Sequence, residues 1–97
     1  MTTVGMTTHA EWIKIDPERI LDTLQQEAVD KVNSAQGEAT LDFSSVARID
    51  SNVVGAMEQL AGLAEDRSVK VVLRAVNGDI YKVLKLLKLT ERFSFVT

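Results

Sequence analysis

The sequence contains no cysteine, a single histidine and only one proline. The absence of cysteine excludes disulfide bonds, thiolate metal sites and cysteine nucleophiles. No stretch approaches the roughly 20 apolar residues of a membrane-spanning helix. Residues 1–10 contain neither lysine nor arginine and no apolar run, so we expect no secretory signal. Together these absences favour a cytoplasmic protein that does not insert directly into a membrane.

The 97 residues, 45% of them hydrophobic and 26% charged, suffice for one domain with its own core. We assign that domain to residues 11–97 and interpret residues 1–10 as an N-terminal tail or a weak first strand. The formal net charge is −3. Because an acidic domain repels phosphate backbones, we expect no nucleic-acid partner. The sequence leaves open whether the chain forms a homodimer.

Short apolar runs, alternating or continuous, predict the strands of this chain. They cover residues 11–15, 38–43, 69–76 and 93–96. We expect residues 46–49 to continue the second strand after a kink at Ser44-Ser45. The third run is the most continuous and the richest in β-branched residues, which is typical of a central parallel strand buried on both faces.

Apolar residues at helical spacing predict three helices between these strands. We expect the first to begin at Asp16-Pro17, the second after Asp50-Ser51-Asn52, and the third at Asn77-Gly78, because these residue types favour helix starts and turns. Strands that alternate with helices pair in parallel through right-handed crossovers. The sequence therefore predicts an α/β fold, with a mixed, mostly parallel sheet of four to five strands and helices packed on it.

The junction Asp50-Ser51-Asn52 is the segment that points to function. It follows a predicted strand and begins a helix, and ligands and contacts gather outside the carboxyl ends of parallel strands. Free backbone N–H groups and the positive end of the helix dipole lie at such a start, which suits an anion such as phosphate. Helix capping alone would also explain these residue types, with Ser51 as the capping residue.

Residues 41–51, which read LDFSSVARIDS, resemble the signature of STAS domains (sulfate transporter and anti-sigma factor antagonist). That signature is an apolar strand with an internal Asp, a short turn, then an apolar residue, Asp, and Ser or Thr at a helix start. Residues 71–77 resemble the following strand and loop of the family, residues 79–89 its next helix, and Arg92-Phe93 its ending. The resemblance covers residues 38–96.

The resemblance implies a non-catalytic regulatory module of bacterial signalling that binds a protein partner and requires no cofactor. In anti-sigma factor antagonists, the loop and helix after the Asp-Ser step dock on a kinase-like anti-sigma factor, and phosphorylation of a loop serine breaks that complex by adding charge to the interface. The corresponding partner-binding residues here are Asp50, Ser51, Asn52, Val53, Val54 and Met57.

This loop differs from that of the antagonists, which usually read Asp-Ser-Ser-Gly with the second serine as phosphoacceptor. Asn52 occupies the phosphoacceptor position and Val53 replaces the glycine. We therefore do not expect phosphorylation at the usual site, and Ser51 is the remaining candidate. A hydroxyl residue after the Asp, followed by a non-hydroxyl residue, resembles the STAS subunit of the bacterial lipid-asymmetry ABC transporter, which binds an ATPase. Stressosome scaffolds are a third alternative.

Other patterns carry weaker hypotheses. Asp42 and Asp50 do not form an acid–base pair in our interpretation, because no nucleophile and base accompany them and His9 is the only histidine. We expect no catalytic residues and no metal site. Lys82, Lys85 and Lys88 share one helix face, which is either solvated or directed at an anionic partner. A small-molecule site near Asn77-Gly78 has little support, since Asn-Gly also favours a turn.

Overall fold

Four strands form the sheet in the part of the chain that the structure describes, residues 12–96 of a computed structural model. They are β1 (Ile13–Lys14), β2 (Glu38–Asp42), β3 (Lys70–Arg74) and β4 (Ser94–Val96). The spatial order is β1-β2-β3-β4, and each of these neighbours pairs in parallel. The predicted α/β fold is confirmed, although no antiparallel strand occurs within the described residues. The prediction for residues 1–10 lies outside them.

The two faces of the sheet differ in what covers them. Right-handed crossovers between consecutive parallel strands place all the connecting helices on one side. On that side Ile15, Leu41 and Leu73 are completely buried. On the other side lie Asp42 and Arg74, which are neighbours in the register of β2 and β3. The hydrophobic core therefore occupies a single layer between the sheet and its helices.

The first helix, α1, spans residues 20–34 and has a π-helical centre. Its segments are Ile20–Asp22, the π-helical Thr23–Ala28 and the α-helical Val29–Ser34. The predicted start at Asp16-Pro17 is wrong. Asp16 accepts hydrogen bonds from the N–H of Glu18 at its side chain, at 2.9 Å, and from the N–H of Arg19 at its carbonyl, at 3.0 Å. These bonds form a turn that precedes the helix.

The second helix, α2, spans Ser51–Asp66, and the third, α3, spans Gly78–Leu86. Residues 43–50 connect β2 to α2, with a turn at Ser44-Ser45 followed by irregular chain. The predicted continuation of the second strand over residues 46–49 is therefore wrong. The N–H of Val46 donates to the carbonyl of Phe43 at 3.0 Å, which turns the chain out of the strand, and the side chain of Val46 is buried in the core.

Strand β3 ends at Arg74, two residues before the predicted end. Ala75 has a φ of 61°, and this left-handed conformation turns the chain out of the strand. The N–H of Ala75 still donates to the carbonyl of Val96 at 3.0 Å. The start of α3 is therefore held at the carboxyl edge of the sheet, next to the start of α2.

Candidate functional site

Asp50 caps helix α2. Its backbone is extended, with φ −114° and ψ −178°, and its Oδ1 accepts a hydrogen bond from the N–H of Val53 at 2.9 Å. This geometry satisfies one of the N–H groups that a helix start leaves unpaired. The predicted capping role of Ser51 is therefore wrong, because the preceding residue performs it.

Ser51 and Asn52 are the first two residues of α2, and both are exposed. Neither side chain forms a hydrogen bond or ion pair with any residue between 12 and 96. Whereas the backbone N–H of Val53 is bonded to the Asp50 side chain, those of Ser51 and Asn52 lack partners within the helix. The hydroxyl of Ser51, the amide of Asn52 and these N–H groups are all accessible at one helix end.

The apolar residues of the predicted surface separate into two groups. Val53 and Met57 belong to the core, with 5% and 1% of their surfaces exposed, so the expectation that a partner contacts their side chains does not fit this structure. Val54 is half-buried, and so is Gly55. We define the N-terminal surface of α2 as Ser51, Asn52, Val54 and Gly55, beside the core residues Val53 and Met57.

A side chain from the next loop holds the chain that leads to this surface. The Nδ2 of Asn77 donates to the carbonyl of Ala47 at 2.9 Å and approaches that of Val46 at 3.3 Å. Its Oδ1 accepts from the N–H of Ile80 at 2.9 Å and so caps α3. Sequence reasoning missed this role of Asn77. An asparagine at a helix start has a spare amide donor, but the sequence does not say which carbonyl receives it.

On the face of the sheet away from the helices, the carboxylate of Asp42 contacts two neighbouring residues. Its Oδ1 accepts from the N–H of Ser44 at 2.9 Å and lies 3.7 Å from Nη1 of Arg74. The Arg74 guanidinium stacks on the ring of Trp12, 4.3 Å from its centroid. Burial raises the pKa of Asp42, but the hydrogen bonds from Ser44 and the charges of Arg74 and Lys14 outweigh it and leave the pKa below its ordinary value.

The two carboxylates that the sequence offered for acid–base work therefore have separate structural partners. Asp42 is bonded to Ser44 and Asp50 to Val53. Within residues 12–96, no group of three or more histidine, aspartate or glutamate side chains is placed to hold a metal ion. None of the helices in the same range has the length and apolar character needed to cross a bilayer.

Comparison with known proteins gives matches of two kinds. A family model described as "Mlab, STAS domain" matches residues 15–97. Among solved structures, the fold resembles the crystal structure of a "putative anti-sigma factor antagonist" from Thermotoga maritima, with a TM-score of 0.68 and 20% identity, over 90% of this chain and 74% of that chain. At this identity the second match shows the fold alone. None of the curated proteins matches the sequence.

Proposed function

Because the chain belongs to the STAS family, we propose that it is a non-catalytic regulatory domain that binds a partner protein through the N-terminal surface of α2. One observation carries the proposal: Asp50 caps the helix, so the exposed side chains of Ser51 and Asn52 have no part in holding it. Polar groups at a helix start that are not needed for capping are available for contacts between proteins.

The physical character of this surface defines what the partner must supply. Ser51 and Asn52 offer a hydroxyl, an amide and unpaired backbone N–H groups at the positive end of a 16-residue helix, which together favour acceptor oxygens on the partner. Val54 and Gly55 add a small apolar area beside them. The buried side chains of Val53 and Met57 hold the start of α2 against the core, so we expect the surface to have the same conformation with and without the partner.

The leading candidate partner is a kinase-like anti-sigma factor. Asn52 stands where the antagonists carry their phosphoacceptor serine, so this complex would not be broken by phosphorylation at that position. Ser51 is the remaining acceptor. A phosphate there would face the neighbouring carboxylate of Asp50 and would add charge to the interface.

The second candidate is an ABC-type ATPase, with this chain as the accessory subunit of a lipid transporter. The description of the matching family model, "Mlab, STAS domain", supports it. The order Ser51-Asn52 also supports it, because it resembles the loop of that transporter's STAS subunit. A third alternative is that the chain itself is a stressosome-type scaffold. In each of these roles the chain would act in the cytoplasm, which is the location that we propose.

Binding measurements on point variants test the surface. Candidate partners are taken from the genes that flank this one, and calorimetry gives the dissociation constant for the wild type, Ser51→Asp and Val54→Glu. Aspartate at the first helical position is favoured by the helix dipole, so Ser51→Asp folds and any loss of affinity arises at the interface. We expect each variant to weaken binding at least tenfold, about 1.4 kcal/mol.

Two control substitutions introduce the same chemical changes elsewhere. Ser68→Asp lies after the end of α2, and Val83→Glu lies on the exposed part of α3. Both should leave affinity unchanged. If all four variants bind like the wild type, the proposed surface is wrong. Selective capture of the anti-sigma factor or of the ATPase by the wild-type protein decides between the two leading partners.

A further inference from the structure

The dipeptide Asn77-Gly78 places an exposed asparagine directly before the first residue of α3. The backbone nitrogen that follows an asparagine can attack the side-chain amide carbon, and glycine hinders this attack least because it has no side chain. A Cβ at Gly78 would meet nothing within 4 Å, so the space beside this backbone is empty. The N–H of Gly78 forms no hydrogen bond with any residue between 12 and 96, and its nitrogen is therefore free to react.

The chain contains two other asparagines, and both are less suited to this reaction. Asn33 precedes Ser34 inside the last segment of α1, and Asn52 precedes Val53 in the first turn of α2. In each case the following residue has a side chain that crowds its own backbone nitrogen, and that of Val53 is β-branched and stiff. The three asparagines therefore differ in the feature on which the attack depends, and two of them serve as internal controls.

Two hydrogen bonds restrain the side chain of Asn77 in the folded protein. Its Oδ1 accepts from the N–H of Ile80 and its Nδ2 donates to the carbonyl of Ala47, both at 2.9 Å. The attack closes a ring, which requires the Cβ of Asn77 and the nitrogen of Gly78 to be eclipsed about the Cα–C bond. At the observed ψ of 169° they are not. The reaction therefore proceeds when the first turn of α3 opens, and local opening is easiest at exposed helix ends.

We propose that Asn77 is a site of spontaneous deamidation and that this modification irreversibly releases the loop before α2 from the start of α3. The backbone nitrogen of Gly78 loses its proton to water and bonds to the Cγ of Asn77, while the side-chain nitrogen takes up a proton and leaves as ammonia. Water then opens the five-membered succinimide at either of its two carbonyls and gives aspartate or isoaspartate. The net reaction consumes one water molecule and releases one ammonia.

Neither product restores the contact with Ala47. Aspartate keeps an oxygen for the N–H of Ile80 but has no amide donor for the loop. Isoaspartate carries its Cβ in the main chain, which lengthens the backbone by one atom and displaces the groups that form both bonds. Residues 46–50 then lose their side-chain bond to the start of α3. The inference concerns this loop and does not depend on the function proposed for the N-terminal surface of α2.

The test ages the full chain in mildly alkaline buffer and locates the products by peptide mapping with mass spectrometry. We expect Asn77 to be converted at least tenfold faster than Asn33 or Asn52. Gly78→Ala should slow this conversion at least tenfold, both in the folded protein and in urea, because the added methyl group hinders the nitrogen. The control Gly55→Ala, in α2, where a Cβ also meets nothing within 4 Å, should be converted at Asn77 like the wild type.

Hydrogen exchange tests the release of the loop. The N–H of Val46 donates to the carbonyl of Phe43 at 3.0 Å. We expect this amide to exchange faster in the aged protein and in Asn77→Asp than in the fresh wild type. The amide of Leu60, in the middle of α2, should exchange at an unchanged rate in all three.

Three results would overturn the proposal. The first is conversion of Asn33 or Asn52 before Asn77. The second is the absence of detectable conversion of Asn77 in the folded protein by the time that the chain unfolded in urea is fully converted. The third is unchanged exchange of the Val46 amide in protein whose Asn77 is converted, because the loop would then not depend on this side chain. Far-ultraviolet circular dichroism of each variant confirms that it is folded.

Discussion

The side-chain amide of Asn77 donates to the carbonyl of Ala47 at 2.9 Å, across 30 residues of sequence. The other end of the same side chain caps α3 by accepting from Ile80. One residue therefore fixes the start of α3 and also the loop that ends at Asp50 and Ser51. This contact joins the two helix starts at the carboxyl edge of the sheet.

Replacement of Asn77 by aspartate separates these two roles. Asn77→Asp keeps an oxygen for the cap but loses the donor to the loop, so we expect a loss of about 1 kcal/mol in the free energy of unfolding. Asn77→Ala should lose about 1 kcal/mol more, because the cap is removed as well. Urea unfolding measures both values. Equal stabilities of Asn77→Asp and the wild type would show that the contact with Ala47 contributes nothing.

Two residues that follow helices adopt left-handed backbone conformations without being glycine. Ser68 has a φ of 57° and Lys88 a φ of 60°, and the N–H of the next residue bonds back to the helix in each case, from Val69 to Ala64 and from Leu89 to Leu84, both at 2.8 Å. A residue with a Cβ is disfavoured there, so Ser68→Gly and Lys88→Gly should each stabilise the fold by about 0.5–1 kcal/mol.

Thermal or urea unfolding checks this prediction, with Asn33→Gly as the control. Asn33 lies inside the last segment of α1, where glycine gains nothing and costs conformational entropy. We expect that control to lower stability. A loss of stability in Ser68→Gly and Lys88→Gly as well would contradict the assigned backbone conformations.

The ion pair between Glu65 and Arg92 predicts a dependence of stability on pH. Two hydrogen bonds of 2.9 Å join the Arg92 guanidinium to both carboxylate oxygens, and they hold the pKa of Glu65 below its ordinary value of 4.5. A carboxyl group whose pKa falls on folding stabilises the protein above its unfolded pKa, and this contribution disappears as the pH falls through the folded pKa.

Glu65→Gln should therefore be slightly less stable than the wild type at pH 7, since exposed ion pairs contribute little. The difference should shrink as the pH falls below 4.5 and vanish once the pH is below the lowered pKa of Glu65 in the folded protein. Urea midpoints measured across this range test it. A difference that stays constant as the pH falls would show that the effect of the substitution is not electrostatic.

The sequence predicts those features of the structure best that follow from the periodicity of its apolar residues. Helical spacing places Val53, Val54, Met57, Leu60, Ala61 and Ala64 in one apolar stripe of α2, and all of them are buried except Val54, which is half-buried. Helical spacing places such residues on one face whatever the rest of the chain does. The order of strands and helices followed from the same kind of pattern, and with it the parallel sheet.

The sequence predicts poorly those details, such as helix caps and loop contacts, that depend on a single hydrogen bond. Three consecutive residues of capping type, Asp50, Ser51 and Asn52, lie at the start of α2, and spacing cannot choose among them. In the structure Asp50 bonds to Val53 and leaves Ser51 exposed. The contact from Asn77 to Ala47 depends on how two loops meet, which no local pattern contains. The start of α1 was placed too early because Asp16 and Pro17 suit a turn as well as a helix start.

Two glycines on the same face of α2 offer the most direct measurement of partner binding at its N-terminal surface. A Cβ at Gly55 would meet nothing within 4 Å, and one at Gly62 would meet only the Arg92 guanidinium at 3.9 Å. Glutamine at either position therefore fits and favours the helix, by about 0.5–1 kcal/mol. The two positions lie roughly 10 Å apart along the axis.

The account predicts that Gly55→Gln, whose side chain projects from the N-terminal surface of α2, weakens binding of the partner at least tenfold, while Gly62→Gln binds like the wild type. Calorimetry with the identified partner gives both dissociation constants. Wild-type affinity in Gly55→Gln, with the variant shown to be folded, would contradict the claim that the partner binds at the start of α2.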